Sequence, residues 1–241
     1  MSGMWQGALR IAAQELRLSW RGYLLTFLFL AYTVSLSTVF LHSHLTGDMP
    51  ERMTWVLDLG YLTFIPLVGF LMDPAMFRYR REDTYSRKLA EWQTMPISVP
   101  QIVTGRMILL ILLLLVNCLL YFGFQYAVLE GLRERLGPAG FILNFLSWFG
   151  YGVVIGVMMV YMELGYSGRV YYNFCLVFVV VLMLASLMLG IIDTSPVFFF
   201  LESAANRNWG TAAVMMAAAV MAVAGFGALL HRRINRRSFW T

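Results

Sequence analysis

Residues Asp73 to Arg106 read DPAMFRYRREDTYSRKLAEWQTMPISVPQIVTGR, the only long hydrophilic passage in a chain of 241 residues. The stretch holds six of the eighteen basic residues, among them Lys88, the only lysine. Everything on either side is apolar run. The chain as a whole is 60% hydrophobic and 13% charged, with a mean hydropathy of +0.70. Soluble domains carry roughly a quarter charged residues, and this composition in water would expose far too much apolar surface. Lipid is the matching solvent. The runs are continuous and lack the two-residue alternation of barrel strands. Helices, which satisfy their own backbone hydrogen bonds, are therefore the expected spanning structure.

Outward from the loop, six runs approach the ~20 residues needed to cross a hydrocarbon core of about 30 Å. They cover residues 23–41, 53–72, 107–129, 141–162, 170–192 and 210–230. Ahead of them, residues 1–22 place Trp5, Leu9, Ala12, Leu16 and Trp20 at helical spacing, which predicts an amphipathic helix lying in the interface. Of the eighteen Lys and Arg, fourteen fall in the N-terminus, the 73–106 loop, the link after the fourth run and the C-terminal tail. The remaining four lie in the opposite links. The positive-inside rule thus puts both termini and the loop in the cytoplasm. The net charge of +5 and pI near 9.4 follow from this flanking, and no nucleic-acid partner is expected. Residues 195–204 open with Ser195 and Pro196, a helix start, but are too short to span. They predict a short helix on the outer face. The expected fold is one all-α, six-span membrane domain.

Within the loop, Asp83-Thr84 can start a helix and Pro96 must end it near Thr94. Tyr85, Leu89 and Trp92 share one face of it, with Glu82, Arg87, Lys88 and Glu91 around the rest. A short amphipathic helix on the cytoplasmic side can dock a partner in helix-in-groove fashion, or rest on headgroups. The run from Tyr85 through Trp92 to Met95-Pro96-Ile97-Ser98, then Ile102 to Arg106, resembles the loop between the second and third helices of type-2 ABC exporter permeases. The similarity extends to the layout: an amphipathic N-terminal helix, six spans, both termini inside and an outer helix between the last two spans.

That resemblance implies the membrane (permease) subunit of an ATP-driven ABC exporter in the cell membrane, multi-pass and bacterial. Two permease subunits, identical or different, would form the path for a drug, peptide antibiotic, lipid-like or glycan substrate. Two cytoplasmic ABC ATPase subunits would dock on the coupling helices through Glu82, Tyr85, Lys88, Leu89 and Trp92. The chain has no G-x-x-x-x-G-K-[ST] phosphate loop, so ATP and Mg would sit on the partner. No enzyme activity, cofactor or metal is expected in this chain.

Other residues carry chemistry worth weighing. Asp58 lies inside the second run, where a carboxylate faces protein or a water-filled path; it also sits near the outer end, where simple exposure at the interface is an equal reading. Pro66 in the same run leaves a backbone carbonyl without its helical donor. Asp58 with Phe198, Phe199 and Phe200 could form part of a path or an outer gate; interfacial aromatics are the plainer account of the phenylalanines. Glu163 and Asp73, at the inner helix ends, would be solvated or paired with nearby arginines. His42 and His44 lack a third metal ligand nearby. Cys118 and Cys175 lie in apolar runs and read as small buried hydrophobes. Two alternatives to export remain. One is an ABC-coupled sensor or immunity subunit against membrane-active peptides. The other is a rhomboid-like intramembrane serine protease using Ser167 of Gly165-Tyr166-Ser167-Gly168 with His231, although a tight turn explains that motif more cheaply.

Overall fold

The computed structural model describes residues 2–18, 20–48, 50, 53–72 and 98–236. Among them are eight helices and no strand. They are α1 (Ser2–Leu18), α2 (Trp20–Leu45), α3 (Thr54–Leu67), α4 (Val99–Val128), α5 (Glu130–Gly165), α6 (Gly168–Ile191), α7 (Pro196–Ala205) and α8 (Trp209–Arg236). Five of these, α2, α4, α5, α6 and α8, are long and apolar enough to cross a membrane. The chain is thus an all-helical protein of polytopic membrane character.

The differences from the sequence expectation lie at helix ends. The second run, expected over about 53–72 with interruptions at Asp58 and Pro66, is a helix of only 14 residues followed by an unwound stretch. Pro66 cannot donate to Leu62, four residues back, and the freed Leu62 carbonyl instead accepts the Tyr151 hydroxyl at 2.9 Å. Beyond it, the Val68 carbonyl accepts Asn117 Nδ2 at 2.6 Å, and the Met72 N–H donates to Thr26 Oγ1 at 2.9 Å. Side chains of neighbouring helices have replaced the missing helical partners, as non-helical backbone inside a membrane requires.

The third span begins earlier than expected. Helix α4 starts at Val99, so the end of the 73–106 stretch is helical. Gln101 reaches back to accept the Ser98 N–H at 2.9 Å, and Pro100 occupies the first turn, where its missing N–H costs nothing. On the other side, the expected polar link 130–140 is helical and continuous with the fourth span. Its turn former acts as a break within α5: Gly137 takes φ 56 and ψ −179, a conformation denied to most side chains.

Helix α5 is the post around which the others stand. A Cβ on Gly150 would lie 2.8 Å from the Met215 backbone, so the absence of a side chain lets α8 approach closely. On another face of α5, Gly152 and Gly156 receive Leu114 and Leu110 of α4. Around them Trp148, Tyr61 and Tyr121 are fully buried, with Trp148 packed against Tyr61 at 5.2 Å and against Phe200 at 4.9 Å between ring centres. Helix α1 lies against the start of α4 through Ala8, Ile11 and Ala12, and Gly105 leaves room for the Ala8 carbonyl. Its Trp5 and Leu9 remain exposed, so α1 carries one apolar face to protein and another outward. Helix α6 contrasts with all of these: in 24 apolar residues only Gly168, Tyr171 and Ser186 are buried.

Candidate functional site

The two ends of the bundle are chemically distinct. At one end the start of α4 meets the ends of α5 and α8. At the other, α7 packs on α5, beside the end of α2 and the start of α3.

The second of these ends holds the carboxylate singled out in the sequence. Asp58, in α3, is fully buried. Its Oδ1 accepts the Ser195 hydroxyl at 2.6 Å and the Val197 N–H at 3.2 Å. Ser195 Oγ in turn accepts the Phe198 N–H at 3.4 Å. The first N–H groups of any helix lack internal acceptors, and the helix N-terminus carries partial positive charge. Asp58 answers both needs from 137 residues away in sequence. A carboxylate that would be costly in an apolar span is thereby turned into a bolt between α3 and the short helix. From the other side α5 supports α7, which buries Val197, Leu201 and Ala204.

Beside this bolt is a cavity of about 480 Å³ whose walls include His44, Ser195, Phe198 and Phe199, with Asp193 and Glu202. His44 lies over the Phe198 ring, centres 4.0 Å apart and planes at 30°. The three phenylalanines do not act as one surface, because consecutive helical residues point about 100° apart. Phe198 stacks on His44, Phe199 is exposed to the cavity, and Phe200 packs inward on Trp148. Asp58 is behind Ser195, so the carboxylates at the cavity itself are Asp193 and Glu202. Among the described residues, no group of three or more His, Cys, Asp and Glu could hold a metal.

A polar network that the sequence reading missed lies one turn deeper. The Tyr61 hydroxyl donates to Gln125 Oε1 at 2.9 Å, and Gln125 Nε2 donates to Ser37 Oγ at 3.3 Å. Tyr121 donates to the same Ser37 Oγ at 2.5 Å, and Ser37 donates to the Thr33 carbonyl at 2.6 Å. All four side chains are buried, and together they tie α2, α3 and α4. Ser37 also lines an apolar cavity of about 260 Å³ between α2 and α3, with Gly60, Thr63, Phe64 and Val179. The available signal was a glutamine and two tyrosines inside otherwise apolar runs.

At the opposite end, Arg106 of α4 donates through Nη2 to both oxygens of Glu163, at 2.8 and 3.0 Å. The Glu163 side chain is almost wholly buried. Of the two readings for Glu163, solvated or paired with an arginine, the pair is what the structure shows, while Asp73 lies outside the described residues. Arg233 of α8 donates from Nε to the Gly165 carbonyl at 3.0 Å and holds its guanidinium 4.0 Å above the Tyr166 ring. Ser167 begins α6, its carbonyl accepting the Tyr171 N–H at 3.0 Å. Gly165 to Gly168 is thus the short turn joining α5 to α6. His231 lines a separate groove between α4 and α8. The docking candidates Glu82, Tyr85, Lys88, Leu89 and Trp92 lie outside the described residues. No protein-family model matches this sequence, and neither does any curated protein or solved structure, so its function is read from the residues themselves.

Proposed function

We propose that this chain is the membrane subunit of an ATP-driven exporter, working with a separate cytoplasmic ATPase and a second membrane subunit. The observation that carries the reading is the position of the polar loop's two flanks. Met72, on its near side, bonds to Thr26 in the first turns of α2. On its far side, α4 begins against α1, with Gly105 beside the Ala8 carbonyl. Both flanks therefore lie at the end that also holds Arg106, Arg233 and the start of α6. A charged loop presented from that end, next to an amphipathic helix, is where a soluble motor could push on the bundle.

On this reading α3 and its unwound tail form a sixth crossing. Asp58 reaches Ser195 at one end and Met72 reaches Thr26 at the other, so this stretch links the two ends of the bundle. Six crossings leave both termini on the loop's side, the side the positive-inside rule assigns to the cytoplasm. The cell membrane is the proposed location. The short helix α7 and its cavity then face outward as the candidate exit region, with Phe198 and Phe199 at its wall. The largely unburied apolar surface of α6 is available to lipid or to the second subunit.

The test is co-purification from native membranes in mild detergent, comparing wild type with a Tyr85→Ala, Leu89→Ala, Trp92→Ala triple variant. A soluble ATPase that accompanies wild type and is lost from the variant supports the reading. Absence of any ATPase from both removes the motor and with it the proposal.

A further inference from the structure

The groove between α4 and α8 at the loop's end of the bundle has no part in the exporter reading. It has a volume of about 340 Å³ and is walled by Val103 and Met107 on α4 and by Val223, Gly227, Ala228 and His231 on α8. The walls are apolar apart from Thr104 until His231. Immediately beyond it come Arg232 and Arg233, both exposed at the surface. Among the described side chains at this end, Arg10, Arg106, Arg169, Arg232 and Arg233 stand against one carboxylate, Glu163, which Arg106 neutralises at 2.8 Å.

An apolar cleft that runs up a membrane helix and ends where arginines outnumber carboxylates among the described residues matches one kind of molecule: a chain of hydrocarbon carrying a negative head. Basic pockets between spanning helices on the cytoplasmic side take anionic lipid headgroups for this reason. We propose that the α4–α8 groove is a binding site for a single anionic phospholipid, with an acyl chain along Val103, Met107, Val223 and Gly227 and the phosphate held at His231 and Arg232. The site requires only the helix pair and its charge, so it stands independently of the exporter reading. Gly227 is central to the acyl track. A Cβ there would meet nothing within 4 Å, so a larger side chain enters the groove without disturbing the bundle.

The full chain, stripped of lipid in detergent, would be titrated with dioleoyl phosphatidylglycerol or with dioleoyl phosphatidylcholine, and bound lipid counted by native mass spectrometry. Wild type is expected to bind the anionic lipid severalfold more tightly than its zwitterionic twin. Arg232→Gln should cut that preference by roughly fivefold, the worth of one surface cation near an anionic headgroup, and leave phosphatidylcholine unchanged. Gly227→Leu should weaken both lipids while helix content by circular dichroism stays at the wild-type level. Equal affinity for the two lipids in wild type overturns the proposal. So does Gly227→Leu with an unchanged lipid count, and if that variant instead shifts the monomer–dimer distribution, the groove belongs to a second copy of the chain.

Discussion

The two ends of this bundle face the same problem, helix termini whose backbone groups lack internal partners, and meet it with charges of opposite sign. At the α7 end a carboxylate, Asp58, sits at a helix N-terminus and accepts from Ser195 and Val197. At the other end a guanidinium, Arg233, sits at the C-terminus of α5 and donates to the Gly165 carbonyl. Each charge has the sign that the helix dipole favours at that position. Glu163 does not. A carboxylate in the last turn of α5 opposes the dipole, and only Arg106, reaching across from α4, makes it tolerable. One end is therefore fastened by a cap, which is intrinsically favourable, and the other by a cap together with an ion pair that depends on both its members.

That difference predicts unequal responses to substitution. The largest effect is expected for Arg106→Ala, which strands Glu163 in a nearly dry site; removing one partner of a buried pair costs about 3–5 kcal/mol. Replacing both, Arg106→Met with Glu163→Leu, should return stability close to wild type, because an apolar pair of similar size avoids the desolvation. Thermal unfolding in mild detergent reads both. If the single variant unfolds with wild type, Glu163 is reached by water or held by another group, and the contrast between the ends collapses.

Asp58 comes next. Asp58→Ala leaves the Ser195 hydroxyl and the Val197 N–H without their acceptor, at a cost of about 1–3 kcal/mol. Asp58→Asn keeps an acceptor oxygen and loses only the charge at the helix N-terminus, worth about 0.3–1 kcal/mol. Limited proteolysis across residues 193–209 should report the loosening of α7, with alanine cleaved faster than asparagine and asparagine close to wild type. Equal cleavage of the two variants would mean that the charge, and not the hydrogen bonds, holds the short helix.

Five of the six runs were legible as long apolar helices because a membrane helix needs only a continuous apolar run, and that requirement is local. So was the helical character of α7: Ser195 followed by Pro196 is a helix start that needs no distant partner, and the helix runs from Pro196 to Ala205 with Ser195 as its cap. Pro66 announced a freed carbonyl by its own chemistry. What it could not announce was that Tyr151 would come to accept the task, nor that the chain would unwind after Leu67 because Asn117 and Thr26 were waiting to bond it. Asp58 shows the same limit. Its cost was visible in one residue, and its resolution required Ser195 and Val197 on a helix more than a hundred residues later. The spacing of Gly152 and Gly156 was a readable sign of close helix approach, whereas the matching role of Gly150 depends on where Met215 lies.

Between the two ends, the network of Ser37, Tyr61, Tyr121 and Gln125 supplies the smallest prediction and the sharpest use of the comparison. Its members are neutral, so each bond exchanges for another within the membrane-embedded unfolded chain, and interhelical hydrogen bonds of this kind average about 0.6 kcal/mol. Tyr61→Phe removes the donor to Gln125 Oε1 and keeps the ring that packs on Trp148 at 5.2 Å. Its unfolding midpoint should therefore fall only slightly, well short of Asp58→Ala. The reason is physical rather than positional: a neutral donor lost between helices can be replaced during unfolding, while a charge stranded in a dry site cannot. A loss for Tyr61→Phe as large as that for Arg106→Ala would show that the middle of the bundle is fastened as tightly as its ends, and that sign and dipole are not what distinguishes them.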